Sequence, residues 1–250
     1  MSMHKENETS ALCGAREKAP ELYWKMYELF APAILRLHRV DIVNENNLTP
    51  TGEGGLIIAA IHNGALDGAF IALAAGRRGR AVRFIGDEEL CNTPFLGKLV
   101  RGAGVISIAS HRGKGAKPEQ VRIALAEAAE VIQAGGTIGI FPEGIIRPFF
   151  STRKSFPFKT GVIRLAVATG AAIVPAWAQG AGAVFPWISP FKVKGKTFYG
   201  AIPVWTPSHI RVHFGKPFKV DKSLTLESPV DAFIKESERL MRAADALRNS

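Results

Sequence analysis

Two short segments place ionisable side chains where an apolar run stops. The run Leu56 to Ile61 leads into His62-Asn63-Gly64-Ala65-Leu66-Asp67, and the run Thr137 to Phe141 leads into Pro142-Glu143-Gly144. Short apolar runs bounded by glycine and polar residues have the pattern of buried strands. Both segments therefore stand at the carboxyl end of a strand, the edge of an open α/β sheet where ligands bind. If the turn after His62 folds back, Asp67 can accept a hydrogen bond from Nδ1 of His62, which fixes the tautomer and leaves Nε2 free as a general base. The other reading of the same spacing is a structural histidine with Asp67 as a helix N-cap. Glu143 before Gly144 reads alone as a turn, but two such strand ends in one domain converge on one face.

The elements that must hold these groups alternate between strand and helix. Strand candidates are Leu56 to Ile61, Ala81 to Ile85, Val105 to Ile108, Thr137 to Phe141, Ala172 to Ala178 and Ile210 to Phe214. Helical spacing appears at Asp67 to Ala75, Pro94 to Arg101, Pro118 to Gln133 and Thr160 to Thr169, and again in a last amphipathic helix carrying Val230, Phe233, Ile234, Leu240, Met241, Ala244 and Leu247. This alternation predicts a single α/β domain with a mostly parallel central sheet flanked by helices. Leu22, Tyr23, Met26, Tyr27, Phe30, Ala33, Ile34 and Leu37 recur at helical spacing from Glu21 to Arg39, predicting an amphipathic helix bent at Pro32 that either packs on the core or lies in a membrane interface. The expected division is a disordered leader over 1–19, this helix over 20–40 and the main domain over 41–250. Leu165 to Phe191 carries no charge, but its prolines and glycines argue against a span and for a buried strand followed by an apolar loop.

The 250 residues are 47% hydrophobic and 22% charged, which excludes a disordered or low-complexity chain. Cys13 and Cys91 are the only cysteines, too few for a disulfide framework or a multi-cysteine metal site, and they suit a reducing compartment. The net charge of +10 is unevenly spread. From residue 145 to 219 there is no Asp or Glu, while Arg147, Arg153, Lys154, Lys159, Arg164, Lys192, Lys194, Lys196, Arg211, Lys216 and Lys219 give eleven positive charges; the remainder holds 21 basic and 22 acidic residues, a net of −1. Such a single-sign field predicts an anionic partner: nucleic acid, an anionic membrane surface or a phosphate-rich substrate. No zinc spacing or RNA-binding aromatic pattern accompanies it, which argues against nucleic acid. Phe185-Pro186-Trp187-Ile188-Ser189-Pro190-Phe191, followed by Lys192, Lys194 and Lys196, has the aromatic and cationic mix of a membrane-interface segment.

Together these residues resemble the glycerolipid acyltransferases typified by 1-acylglycerol-3-phosphate O-acyltransferase. His62 to Asp67 is similar to that family's His-x4-Asp box, Gly104 to Ser110 to its glycine-rich strand, Phe141 to Arg147 to its Phe-Pro-Glu-Gly box, and Ile173-Val174-Pro175 to its closing apolar strand. Phe158-Lys159-Thr160-Gly161-Val162 is similar to the segment between the last two. The resemblance implies that His62 and Asp67 are catalytic, with His62 deprotonating a lipid hydroxyl that attacks an acyl-CoA or acyl-carrier-protein thioester, and that Phe141, Pro142, Glu143, Gly144, Arg147 and Pro175 bind substrate. It implies no metal and no permanently bound cofactor, the thioester being a co-substrate. It further implies a phospholipid-biosynthetic enzyme peripheral to the cytoplasmic face of a membrane.

The chain departs from the pattern at both arginines that the family uses on the acceptor's phosphate. One position holds Ile146, with Arg147 one residue later, and the other holds Ser110, followed by His111 and Arg112. A one-residue slip can turn a side chain to the opposite face. A lysophospholipid acceptor and a neutral lipid alcohol therefore both stand as readings, beside a thioesterase or lipid hydrolase using the same His/Asp pair.

Overall fold

A computed structural model describes residues 16–50, 52–94, 96–111, 115–147, 156–184, 186–193, 196–201 and 207–249. Residues 1–15 of the expected leader, Arg112 and Lys194 lie outside the described residues.

The chain runs α1 (Glu21–Leu37), β1 (Arg39–Val43), β2 (Leu56–Ala60), α2 (Asp67–Gly76), β3 (Val82–Asp87), α3 (Glu88–Cys91), α4 (Leu96–Gly102), β4 (Ile106–Ile108), β5 (Ser110–His111), β6 (Gly115–Ala116) and α5 (Pro118–Gln133). It continues through β7 (Thr137–Ile140), α6 (Gly161–Thr169), β8 (Ala172–Gln179), α7 (Ala181–Val184), β9 (Trp187–Val193), β10 (Lys196–Ala201), β11 (His209–Phe214) and α8 (Val230–Ala246). Seven strands form one sheet in the order β1-β11-β8-β2-β7-β3-β4. The five from β8 to β4 are parallel; β11 runs antiparallel to β8, and β1 runs parallel to β11. The mostly parallel sheet predicted by the strand and helix alternation is thus present, with two reversed strands at one edge.

Strand β2 is buried along its whole length because it lies between β8 and β7 with helices on both faces. Its side chains alternate between two cores. Ile57 and Ala59, with Ile61 beyond the strand, pack with Ala124 and Ala128 of α5, Val162 and Leu165 of α6 and Phe233 and Leu240 of α8. Leu56, Ile58 and Ala60 pack with Phe70, Ile71 and Ala74 of α2 and with Ile210 and Val212 of β11. This period of two fixes which face receives each residue that follows the strand.

Helix α1 is continuous through Pro32 and ends at Leu37, so Arg39 belongs to an edge strand rather than to the helix, and the sheet begins before residue 41. The helix is held on the core by two tyrosines. The Val82 N–H donates to the Tyr23 hydroxyl at 2.9 Å, and the Tyr27 hydroxyl donates to the Leu73 carbonyl at 3.1 Å. Gly76 faces the Tyr27 ring with no room for a side chain. Burial pushes the Tyr23 hydroxyl well above the ordinary tyrosine range. The opposite side of α1 leaves Leu29 69% exposed and Phe30 and Leu35 also in solvent, so one face packs and the other does not.

The leader is ordered further upstream than its composition predicts. Arg80, fully buried, donates to the carbonyls of Thr49, Pro50, Gly54 and Gly135 and faces Glu17 at 3.5 Å. Glu17 accepts from the Thr137 N–H and hydroxyl and from the Ala81 N–H. Burial raises the Glu17 carboxyl above its ordinary range, against the opposing pull of Thr137 and Arg80. This clamp lies at the start of β7 and just before β3, the sheet edge opposite the His62 turn. A second correction concerns the expected apolar loop before Phe191: α7 and β9 occupy it, and β9 pairs antiparallel with β10 as a separate two-stranded arm.

Candidate active site

The site forms where adjacent parallel strands β2 and β7 end. The Ile61 N–H still donates to the Ala176 carbonyl at 3.1 Å, and the chain leaves the sheet at His62. Asp67 is the first residue of α2 and fully buried, but it does not cap that helix; the cap position is Leu66, without a side-chain bond. The Asp67 carboxylate instead reaches back into the turn. Its Oδ2 accepts from the Asn63 N–H at 2.5 Å and the Gly64 N–H at 2.8 Å, and lies 3.1 Å from His62 Nδ1. The N-cap reading is thereby replaced. A carboxylate oxygen can only accept, so its contact assigns the proton to Nδ1 and leaves the Nε2 lone pair free.

The imidazole has a fixed plane as well as a fixed tautomer. It stacks on Phe141, directly after β7, with ring centroids 3.8 Å apart and planes 13° apart; Phe141 stacks in turn on Phe84 of β3 at 5.1 Å. The His62 side chain remains 15% exposed, which gives a substrate access to the ring. Among the described residues of the site, no other group combines a free basic nitrogen with an orienting carboxylate.

Glu143 joins the two strand ends. Its Oε2 accepts the His62 N–H at 3.2 Å, and its Oε1 accepts the Phe156 N–H at 3.1 Å and an Arg147 Nη at 2.8 Å. The Arg147 N–H donates to the His62 carbonyl at 2.9 Å. Both side chains are buried, and the Arg147 Nε has no hydrogen-bond partner among the described residues. Arg147 is thus turned inward onto Glu143. From the C-terminal turn, the Arg248 guanidinium lies over Trp177; burial holds it below the usual arginine range, with the nearby Arg147 charge acting in the same direction.

The remaining expected residues divide. The Pro142 carbonyl accepts the Lys159 N–H at 2.9 Å, and Gly144 makes the turn with φ +70°. Pro175 lies within β8, opposite Ala59 in β2, so it belongs to the body of the sheet rather than to the strand-end cluster. Among the described residues, no group of three or more His, Cys, Asp or Glu side chains could hold a metal ion.

Sequence reasoning passed over one contact. A Cβ on Gly64 would lie 2.6 Å from the Gly182 Cα, and one on Gly182 would lie 2.9 Å from the Asn63 carbonyl oxygen. Helix α7 therefore presses backbone to backbone on the turn that orients His62. The signal was present in Gly180-Ala181-Gly182, which reads in sequence only as a helix breaker. Gly182→Ala displaces the peptide whose N–H reaches Asp67, and misplacement of that order costs about ten- to a hundredfold in turnover. Turnover and thermal melting of the purified variant check this; an unchanged kcat would show that the turn yields without consequence.

The family model described as Acyltransferase matches residues 39–179, more than half of the chain. An uncharacterized protein of Mycobacterium leprae is 25% identical over 204 residues, covering 72% of this chain and 50% of that protein, so the chain spans half the relative's length. The crystal structure of the 1-acyl-sn-glycerophosphate acyltransferase PlsC from Thermotoga maritima is similar over 90% of this chain and 80% of that one, with a TM-score of 0.60 and 23% identity. That likeness is one of fold.

Proposed function

Because the chain belongs to the acyltransferase family, we propose that it transfers a fatty acyl group from an acyl thioester, acyl-CoA or acyl-carrier protein, to the hydroxyl of a lysophospholipid such as 1-acylglycerol 3-phosphate. One observation carries the chemistry: His62 Nδ1 stands 3.1 Å from a buried Asp67 carboxylate while the ring stays within reach of solvent. Nε2 takes the hydroxyl proton as the oxygen attacks the thioester carbonyl. The C–S bond then breaks, and the thiolate leaves with the proton returned from the imidazolium, which Asp67 stabilises in the interval. A thioester is already activated, so direct transfer needs no covalent enzyme intermediate, and general-base help contributes roughly 10²–10⁴-fold. The neutral-alcohol reading gains from one feature: Arg147, the nearest counterpart of a phosphate-gripping arginine, is occupied by Glu143. Incubation of the purified protein with labelled acyl-CoA and a panel of lysophospholipids, neutral lipid alcohols and water alone tests the proposal. Labelled esterified lipid supports it, and labelled free fatty acid as the sole product would make the protein a hydrolase.

The protein works at an anionic membrane surface, on the cytoplasmic side and without crossing it. No helix among the described residues is long and apolar enough to cross a membrane. Exposed Leu29, Phe30 and Leu35 of α1 and the acid-free stretch from 145 to 219 supply the apolar and cationic contacts that such a surface rewards. Binding to vesicles containing phosphatidylglycerol weakens as salt rises, and weakens further when Lys192, Lys194 and Lys196 are neutralised together. Co-sedimentation measures both effects, and indifference to both would remove the membrane assignment of this stretch.

A further inference from the structure

The geometry points to Lys159 as the cation that recognises an anionic group, a phosphate monoester, on the acceptor. The inference rests on the lysophospholipid reading above and supplies the residue that this reading lacks. The displaced family arginine cannot serve as placed, because Arg147 is buried against Glu143.

Lys159 is held against the Pro-Glu-Gly turn at both ends. Its N–H donates to the Pro142 carbonyl at 2.9 Å, and its stem lies in the notch that Gly144 leaves by having no side chain; a Cβ on Gly144 would overlap the Lys159 ammonium and the carbons behind it. Gly144 closes the turn by donating its N–H to the Phe141 carbonyl at 2.9 Å, and Phe141 is the ring on which His62 stacks. The lysine thus sits on the turn that carries the base's stacking partner. Its residue is exposed, and its ammonium makes no ion pair or hydrogen bond with any described side chain. No acid from residue 145 to 219 is available to neutralise it. A cation that is positioned by both backbone and stem, yet carries no counter-charge, is prepared for an anion from outside, and lysine binds phosphate as a point charge without a required fork geometry. In a 1-acylglycerol 3-phosphate the phosphate oxygen is attached one carbon from the carbon bearing the attacking hydroxyl. The anion must therefore lie close to His62 whenever the hydroxyl does.

The test compares short-chain 1-acylglycerol 3-phosphate with the matching 1-monoacylglycerol as acceptors for the wild type, Lys159→Met and Lys159→Arg, reading the ratio of kcat/KM for the two acceptors. The wild type prefers the phosphorylated acceptor. Lys159→Met lowers that preference on the order of ten- to a hundredfold, the range of a single charged hydrogen bond, mainly through KM; Lys159→Arg retains most of it. A wild-type preference that survives Lys159→Met overturns this inference and leaves the lysophospholipid reading intact. Equal loss on both acceptors also overturns it, since Lys159 would then act on the donor or the fold. A wild type that shows no preference for the phosphate overturns both, and thermal melting confirms that each variant is folded.

Discussion

His62→Ala loses two to four orders of magnitude in kcat and keeps its fold. The size follows from removing a general base from a reaction whose leaving group is already good. The retained fold follows from position. The imidazole lies beyond the last ladder bond of β2, is partly exposed and packs chiefly on Phe141, so its loss opens no cavity in either core. Asp67→Asn loses less, because the amide oxygen still accepts from the Asn63 and Gly64 N–H groups and keeps the turn, while the charge that stabilises the imidazolium is gone. Turnover of the two variants, set beside their melting curves, measures the difference. Near-wild-type turnover in folded His62→Ala would falsify the mechanism.

Glu143→Ala behaves in the opposite way, as a loss of stability first and of activity second. The carboxylate is fully buried and accepts from two backbone N–H groups and from Arg147. Its removal leaves a guanidinium charge buried and unpaired, a change that costs about 3–5 kcal/mol. Against a total of roughly 5–15 kcal/mol for a folded domain, that is a large fraction. The urea midpoint falls accordingly. Because the penalty is the stranded charge rather than the lost attraction, the double variant Glu143→Ala/Arg147→Met is more stable than Glu143→Ala alone. If the single variant unfolds at the wild-type midpoint, the pair has no role in holding the strand ends together.

The parts of the fold that are legible in the sequence are those with an unbroken or regularly spaced apolar pattern. Strand β2 and helix α5 were bounded to within a residue because both have a continuous or strictly periodic apolar pattern. Strand β1 was not, since Arg39-Val-Asp-Ile-Val carries two charges and pairs with β11, about 170 residues further on. The segment up to Phe191, most of β9, reads in sequence as an apolar loop because of its prolines. Pro190 is accommodated in a strand that has a partner on one side only, next to the register shift between Phe198 and Gly200. The site divides on the same lines. The partnership of His62 and Asp67 follows from their spacing at a strand end. The inward turn of Arg147 does not, because it depends on Glu143 being buried four residues earlier across a non-helical turn. The notch at Gly144 was invisible for a related reason, as its occupant arrives from fifteen residues downstream.

The Glu17–Arg80 clamp also bears on where this domain begins as a physical object. Judged by its helices, the folded unit would start at Glu21, and a fragment cut there would look complete. Such a fragment would keep the Arg80 guanidinium threaded among four carbonyls with its Glu17 ion pair gone, and would leave Thr137 and Ala81, at the feet of β7 and β3, without their acceptor. Those two strands carry the rings behind the base, Phe84 within β3 and Phe141 directly after β7. A single acid upstream of α1 therefore ties down the feet of two core strands, and trimming the chain past it would loosen the sheet at the end furthest from the reaction.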